Sequence, residues 1–438
     1  MKERYSTYKS SGVEWIGEIP KHWETIKLKH LTTIKRGSSP RPIDDPKFFD
    51  DESGEYYWVR ISDVSRSDRY LYYTEQKMSE LGSSLSHKLG EDEVIMSISG
   101  SVGKVMITKT KCCIHDGFIT FQNPKMEKLF LFYLLTNSEI FKEDGKVGTQ
   151  TNINSDIVCN KKVPTPPLPE QEQIVKYLDE KTSQIDGLIS ITEKKIELLK
   201  QKRTSLINEV VTKGLNPDVE LKDSGVEWIG EIPIHWDRTT IKRLVTTKLT
   251  DGPHLTPNFV DEGVPFISVE SIKDDKIDFE YKRGFITKED DIEFSKKCKP
   301  KRDDILFVKS GSTTGKVTIV DTDLDFNVWS PLCLIRPNTH KVSPRFVFHS
   351  MKSDFFQLSV QQSWSFGTQP NIGMGVIENL YLIVPPLSEQ EQIVDFIDTH
   401  TTEIDKLVSI EQRRIETLKE YRQSLISEVV TGKIKVTD

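Results

Sequence analysis

Cysteine is scarce in this chain: five residues in 438, at positions 112, 113, 159, 298 and 333, with no CxxC pair. Adjacent Cys112 and Cys113 are poorly spaced for zinc, which points to buried, reduced thiols and away from a disulfide framework or a structural metal. Long apolar runs are missing too. The longest, Leu129 to Leu135, has seven residues, against the ~18 or more that a membrane helix needs. The opening MKERYSTYKSSG lacks the apolar core of a secretory signal. The expectation is a cytoplasmic protein with no membrane segment. A strong charge of either sign is also absent: 60 Lys and Arg face 67 Asp and Glu, net −7. That sum argues against a nucleic-acid partner, but placement of charge matters more than its total.

Recognisable catalytic loops are lacking as well. Gly311-Ser-Thr-Thr-Gly-Lys316 has three residues between its glycines and Val317 after the lysine, whereas a phosphate loop needs four and then Ser or Thr. No GxGxxG follows a strand-like run, and no Asn/Asp-Pro-Pro-Tyr/Phe motif of amino-methyltransferases occurs. Glu280-Tyr-Lys282 follows Asp274, Asp275 and Asp278 and invites a nuclease reading, but the matching stretch around Leu71–Thr74 has no counterpart. No catalytic residue and no metal ligand is expected.

What the chain does have is a duplication. SGVEWIGEIP stands at 11–20 and again at 224–233, extended by His22/His235 and Trp23/Trp236; EQEQIV stands at 170–175 and 389–394. The offsets, 213 and 219, are too long for a solenoid and indicate a duplicated domain pair. Retained identically in diverged copies, the His–Trp motif suggests a packing corner more than catalysis. Between the blocks the halves share a skeleton of strand-like alternation, Trp58–Val64 with Phe266–Ile272 and Glu93–Gly100 with Asp304–Gly311, then an apolar helix candidate, Phe130–Phe141 with Arg345–Phe356. Each half then passes Gly-Thr-Gln (148–150 and 367–369) to a Pro-Pro-Leu break (166–168 and 385–387).

A long helix should follow each break. Residues 170–212 and 389–431 match at 25 of 43 positions. A heptad can be laid on both: Val175, Leu178, Thr182, Ile185, Ile189, Thr192, Ile196, Leu199, Arg203, Leu206 and Val210 in the first, and Val394, Ile397, Thr401, Ile404, Val408, Glu411, Ile415, Leu418, Arg422, Leu425 and Val429 in the second. Eight of eleven are apolar in each, with polar breaks at the same slots, as in a coiled-coil seam. Arg203 and Arg422 would help fix register. Two separate amphipathic helices, each packed on its own domain, are the alternative. Antiparallel pairing would set a globular domain at each end of a rod of at most ~65 Å, with the two chain termini near each other.

With these motifs in place, the chain resembles the specificity subunit of type I restriction–modification systems. The resemblance covers essentially the whole sequence. It is carried by SGVEWIGEIPxHW twice, the Gly-Ser-x-Gly-Lys-type turns, Gly-Thr-Gln, Pro-Pro-Leu-x-Glu-Gln-Glu-Gln-Ile-Val twice, and Ser-Leu-Ile-x-Glu-Val-Val-Thr at 205–212 and 424–431. It implies a mixed α/β fold in which two target recognition domains (1–165 and 223–384) alternate with helical spacer regions (166–222 and 385–438), pseudo-two-fold symmetric through an antiparallel coiled coil. It implies a non-catalytic subunit whose domains each read one half of a bipartite, asymmetric site in double-stranded DNA. It further implies two modification subunits that methylate adenine N6 and two restriction subunits that translocate and cleave. S-adenosylmethionine, ATP and Mg²⁺ would belong to those partners and not to this chain. Half-sites about one helical turn apart, ~34 Å, would fit within the rod. A protein–protein scaffold built on a coiled coil is the rival reading.

Base edges are read by Arg, Lys, Asn, Gln, Ser and Thr. In the first domain the candidates are Lys35, Arg36, Ser38 and Arg41, then Arg60, Ser99, Ser101, Lys104, Gln150 and Asn152. In the second they are His254, Thr256, Lys309, Ser310, Ser312, Lys316, Gln369 and Asn371. Lys309→Ala is expected to weaken binding to the second half-site, and the shared Gly-Thr-Gln also has a structural reading. Divided by region, the net charges are +1 (1–165), −1 (166–222), −3 (223–384) and −4 (385–438). Five of the seven negative units therefore lie on the helical segments. The near-neutral domains leave room for a basic face, and this chain alone should bind DNA weakly.

Overall fold

The structure, a computed structural model, describes residues 3–66, 69–100, 102–142, 153–364 and 370–436. It forms two compact units: Met1–Glu193 with Arg413–Asp438, and Lys194–Gln412.

The first unit is built on a five-stranded sheet in the order Thr33–Arg36, Phe118–Gln122, Val94–Ser97, Val105–Thr108, Tyr70–Leu71. Its strands alternate between two cores. Val94, Met96, Val105, Ile107, Ile119 and Phe121 face helix Lys128–Leu135 and the long helices, while Ile95, Met106 and Phe118 face Val59, Leu89, Cys112 and Ile114 of a four-stranded sheet. Buried on both faces, these strands read as near-continuous apolar runs. The second unit repeats the device with Ile305 and Phe307 on one side of their sheet and Leu306 and Val308 on the other.

Some local expectations change. The alternation at 58–64 is strand only to Val59; Ile61–Arg66 is a helix. Its counterpart is strand Val264–Ile267, then a 3-10 turn at Val269–Ser271. The apolar helix of the first half spans Lys128–Leu135, and that of the second breaks at Ser353 into Pro344–Lys352 and Asp354–Gln362. Alternation over seven residues does not distinguish a strand from a strand entering a half-buried helix.

The long helices span Leu168–Lys213 and Leu387–Val430. Residues 168–193 and 413–430 pair within the first unit, and 194–213 with 387–412 within the second. Every heptad position proposed above is buried or half-buried. In the second unit Lys195 pairs with Glu411 at 2.6 Å and Arg203 with Asp405 at 3.1 Å. One number rises as the other falls, so the segments run antiparallel. In the first unit Arg422 pairs with Asp186 at 2.9 Å. Residues 186 and 203 become 405 and 422 on adding the repeat offset, so this is one ion pair used twice. The seam threonines bond back to their own helix, Thr182 Oγ1 to the Leu178 carbonyl and Thr192 Oγ1 to that of Leu188, both at 2.7 Å. Glu411 replaces Thr192 in the repeat, and Lys195 compensates its buried charge.

The duplicated motifs meet each other within each unit. Glu170 accepts hydrogen bonds from His22 Nε2 at 3.0 Å and Trp23 Nε1 at 2.9 Å; Glu389 accepts them from His235 Nε2 at 2.9 Å and Trp236 Nε1 at 3.1 Å. The next residue works too: buried Gln171 donates to the Pro166 carbonyl and accepts from the Glu127 amide, as Gln390 does with Pro385 and Ser343. Gly432 and Gly214, at φ +73° and +77°, end the long helices against Trp23 and Trp236. A Cβ at Gly432 would lie 2.4 Å from Pro20 Cδ. The chain's ends meet in the first unit, where the Lys435 amide donates to the Glu3 carbonyl at 2.9 Å.

Candidate nucleic-acid interface

In the first unit the loop after strand Thr33–Arg36 crosses the turn between strands Cys112–Ile114 and Phe118–Gln122. The crossing residue must be glycine: a Cβ on Gly37 would lie 2.1 Å from the His115 carbonyl oxygen. Cations gather there. Arg36 Nε donates to the Asp116 carbonyl at 2.6 Å, and Arg41 pairs with the Asp116 carboxylate at 3.0 Å. Burial holds His115 below the ordinary histidine range; Asp116 opposes this and Arg60 adds to it. Ser99 and His115 flank Gly117. The crossing thus unites Arg36, Arg41, Arg60 and Ser99 from three separate sequence segments. Lys35 lies close enough to His87 to help depress its pKa, after burial. Ser38 is exposed. Lys104 instead lines a cleft of about 610 Å³ with Phe132, Tyr133, Asp186 and Arg422. Sequence reasoning missed His115 and Asp116, although Asp116-Gly117 between two β-rich runs is a turn signal.

The second unit repeats the crossing with different chemistry. A Cβ on Gly252 would lie 2.0 Å from the Val328 carbonyl oxygen. Asp251 stands where the first unit has Arg36, and Trp329 where it has His115. Asp251 is 1% exposed and is met by Lys297, by Lys309 at 3.1 Å and by His254 at 3.3 Å. Burial alone would raise its pKa, but hydrogen bonds from Lys297 and Lys309 outweigh that and hold it below the usual carboxylate range. Lys309, expected at a base edge, has a side chain only 15% exposed and is held on this internal carboxylate. The backbone ties Ser310 to Asn371 in an isolated β-bridge. Thr256 and Ser312 are exposed. Lys316 Nζ donates to the Ile272 carbonyl at 3.2 Å, beside Asp275 and Lys352. Lys297, Arg283 and Trp329 were not anticipated; Arg283 lies over the Trp329 ring at 5.0 Å. Ser101, Gln150, Asn152 and Gln369 lie outside the described residues.

The unlike crossings sit on like supports. Asp179 and Asp398, one residue in the repeat, both tie a long helix to its domain. Asp179 accepts from Tyr133 at 2.6 Å and Arg69 at 2.8 Å, and Asp398 pairs with Arg345 at 2.7 Å and His349 at 3.2 Å. Among the described residues no group of three or more His, Cys, Asp or Glu is placed to hold a metal, and no helix is long and apolar enough to cross a membrane.

A profile of the type I restriction modification DNA specificity domain matches residues 20–201 and again 240–420. The chain belongs to the type I restriction–modification DNA specificity family. The type I restriction enzyme MjaVIII specificity subunit of Methanocaldococcus jannaschii is 24% identical over 95% of this chain and 94% of its own length. The EcoBI specificity subunit of Escherichia coli is 23% identical over 94% of this chain and 86% of its own. Among solved structures, a chain from a type I R-M system covers 94% of this chain and 98% of its own at TM-score 0.68 and 16% identity. The HsdS subunit of Thermoanaerobacter tengcongensis covers 97% and 100% at TM-score 0.53 and 16% identity. At that identity the likeness is one of fold. One matched stretch falls in each repeat and each ends within that repeat's long helix, so the duplication seen in the sequence is a duplicated specificity domain. Specificity subunits of this family are non-catalytic, and catalysis lies with other subunits.

Proposed function

We propose that this chain reads a bipartite, asymmetric DNA site, one half per specificity domain, for a type I restriction–modification complex. One observation carries the reading: the glycine crossings hold different residues, Arg36–His115–Asp116 in one unit and Asp251–Trp329 in the other, on corners that repeat the same hydrogen bonds and on helices that match at 25 of 43 positions. Two domains that differ where they are cationic and agree where they are structural suit two different half-sites. Base contacts would come from the crossings and phosphate contacts from the surrounding cations.

In this reading the paired helices set the half-site spacing and dock two adenine-N6 modification subunits, with two restriction subunits joining them. S-adenosylmethionine, ATP and Mg²⁺ are assigned to those partners, and the complex works in the cytoplasm. The acidic balance of the helical segments favours protein contacts there over DNA. The test is to express the chain with its modification subunits and map methylated adenines by single-molecule sequencing. A two-part motif that is lost without this chain is the expected result. Methylation that ignores sequence would overturn the proposal.

A further inference from the structure

We propose that Lys297, helped by His254, grips a DNA phosphate at the second unit's crossing, and that Asp251 is the positioning residue that holds both in place. The inference rests on the DNA-reading function above and adds a residue that no sequence motif marked. Lys297 follows helix Lys288–Ser295 and reaches the loop at Gly252. Its ammonium donates to the Asp251 carboxylate and to the Gly252 carbonyl. A lysine has three N–H donors, so one remains for an incoming oxygen, and the side chain is 49% exposed. His254, 68% exposed, approaches the same carboxylate from the loop. Lys309 is the inward member of the set, at 15%.

Charge and reach both point to a phosphate. Two lysines meet one carboxylate, so the cluster keeps a positive excess even with His254 neutral. An isolated buried carboxylate would be costly, and its two lysines are what keep it charged. Fixed by that carboxylate, Lys297 is ordered before DNA arrives, which removes part of the cost of immobilising a long side chain on binding. A lysine is a point charge suited to phosphate, without the planar fork that reads guanine. Phosphate contacts set the register in which neighbouring side chains meet base edges, so Asp251 would influence discrimination without touching DNA.

The test uses the full chain assembled with its modification subunits, on duplexes carrying the mapped site or the site with either half scrambled, over a range of salt. Lys297→Ala should weaken binding, lower the slope of log affinity against log salt by about one and reduce discrimination at the same half-site as Asp251→Asn; Lys297→Arg should restore the slope. Asp251→Asn separates positioning from simple charge. Removing a negative charge would tighten binding to every duplex if only summed charge mattered, whereas positioning predicts a several-fold loss of discrimination at one half-site. Melting curves check folding, because Lys297→Ala also takes one of two lysine partners from the buried Asp251. Wild-type complex that does not distinguish mapped from scrambled DNA would sink the DNA-reading function itself. Wild-type discrimination with an unchanged slope in Lys297→Ala overturns the present inference alone.

Discussion

Glu170→Ala isolates the corner on which the first unit is built. Trp23 is fully buried, and its indole N–H has Glu170 as acceptor at 2.9 Å; His22 shares the carboxylate at 3.0 Å, and the Tyr5 hydroxyl donates to its other oxygen. Truncation removes these partners and leaves a buried donor unsatisfied. Hydrogen bonds to a charged group contribute about 1.5–3 kcal/mol each, and an orphaned buried N–H costs about 1–3 kcal/mol. His22 is half-exposed and can turn to water, so its share is small. The indole dominates, and about 2–4 kcal/mol is expected for the unit. For a body of this size, 1 kcal/mol moves the melting temperature by about 2–4 °C, which gives a fall of roughly 4–16 °C. Amide hydrogen exchange gives the sharper assay. Peptides over 5–23 should open faster in Glu170→Ala while those over 224–236 stay protected, and Glu389→Ala should reverse the pattern. Glu170→Gln keeps an acceptor oxygen and should retain most of the stability. Wild-type exchange and melting in Glu170→Ala would refute the argument that the motif is a structural corner.

Three further outcomes are expected. Leu178→Ala, at a fully buried seam position, should cost about 2–5 kcal/mol, whereas Leu188→Ala, on an exposed face of the same helix, should change stability by under about 0.5 kcal/mol; urea melts compare them. Gly432→Ala places a Cβ at φ +73° and 2.4 Å from Pro20 Cδ, and a loss of at least about 1–2 kcal/mol should appear as early exchange at 428–434. The third concerns acid. Burial holds His349 below the ordinary histidine range; Asp398 opposes the shift, and Lys352 and Arg345 add to it. Below a pH of about 6.5 the unfolded chain therefore binds a proton that the folded one refuses, and stability falls as pH drops. His349→Gln should flatten this slope in the second unit between about pH 6.5 and 5; an unchanged slope would show that other groups set it.

The architecture was legible where the chain repeats itself. Identity at SGVEWIGEIP and EQEQIV marked residues under the same constraint twice, and the hydrogen bonds from Trp23 to Glu170 and from Trp236 to Glu389 are that constraint. The seam was legible because its period is local. Less visible was what depends on distant pairing. Cys112–Ile114 lies parallel to Tyr57–Val59 across more than fifty residues, so no local period announces it. The crossings suffered most. Gly37 and Gly252 look like ordinary turn residues until the strand beneath them is in place. Lys309 reads as a surface cation because nothing near it in sequence reveals Asp251. Lys297 escaped notice for the same reason: its partner lies 46 residues away.

The first unit is assembled from two separated stretches, 1–193 closed by 413–438, while the second is the unbroken stretch 194–412 that lies between them. On the ribosome this inverts the usual order. The segment made first lacks the strip of helix carrying Leu425, Ile426, Val429 and Val430 that completes its core. The intervening 219 residues take roughly 10–45 s to synthesise at ~5–20 residues per second. During that interval a half-covered apolar surface waits, and the unit encoded later can finish folding before it. A chain that stopped after residue 412 would carry a complete second unit attached to a first unit that cannot close.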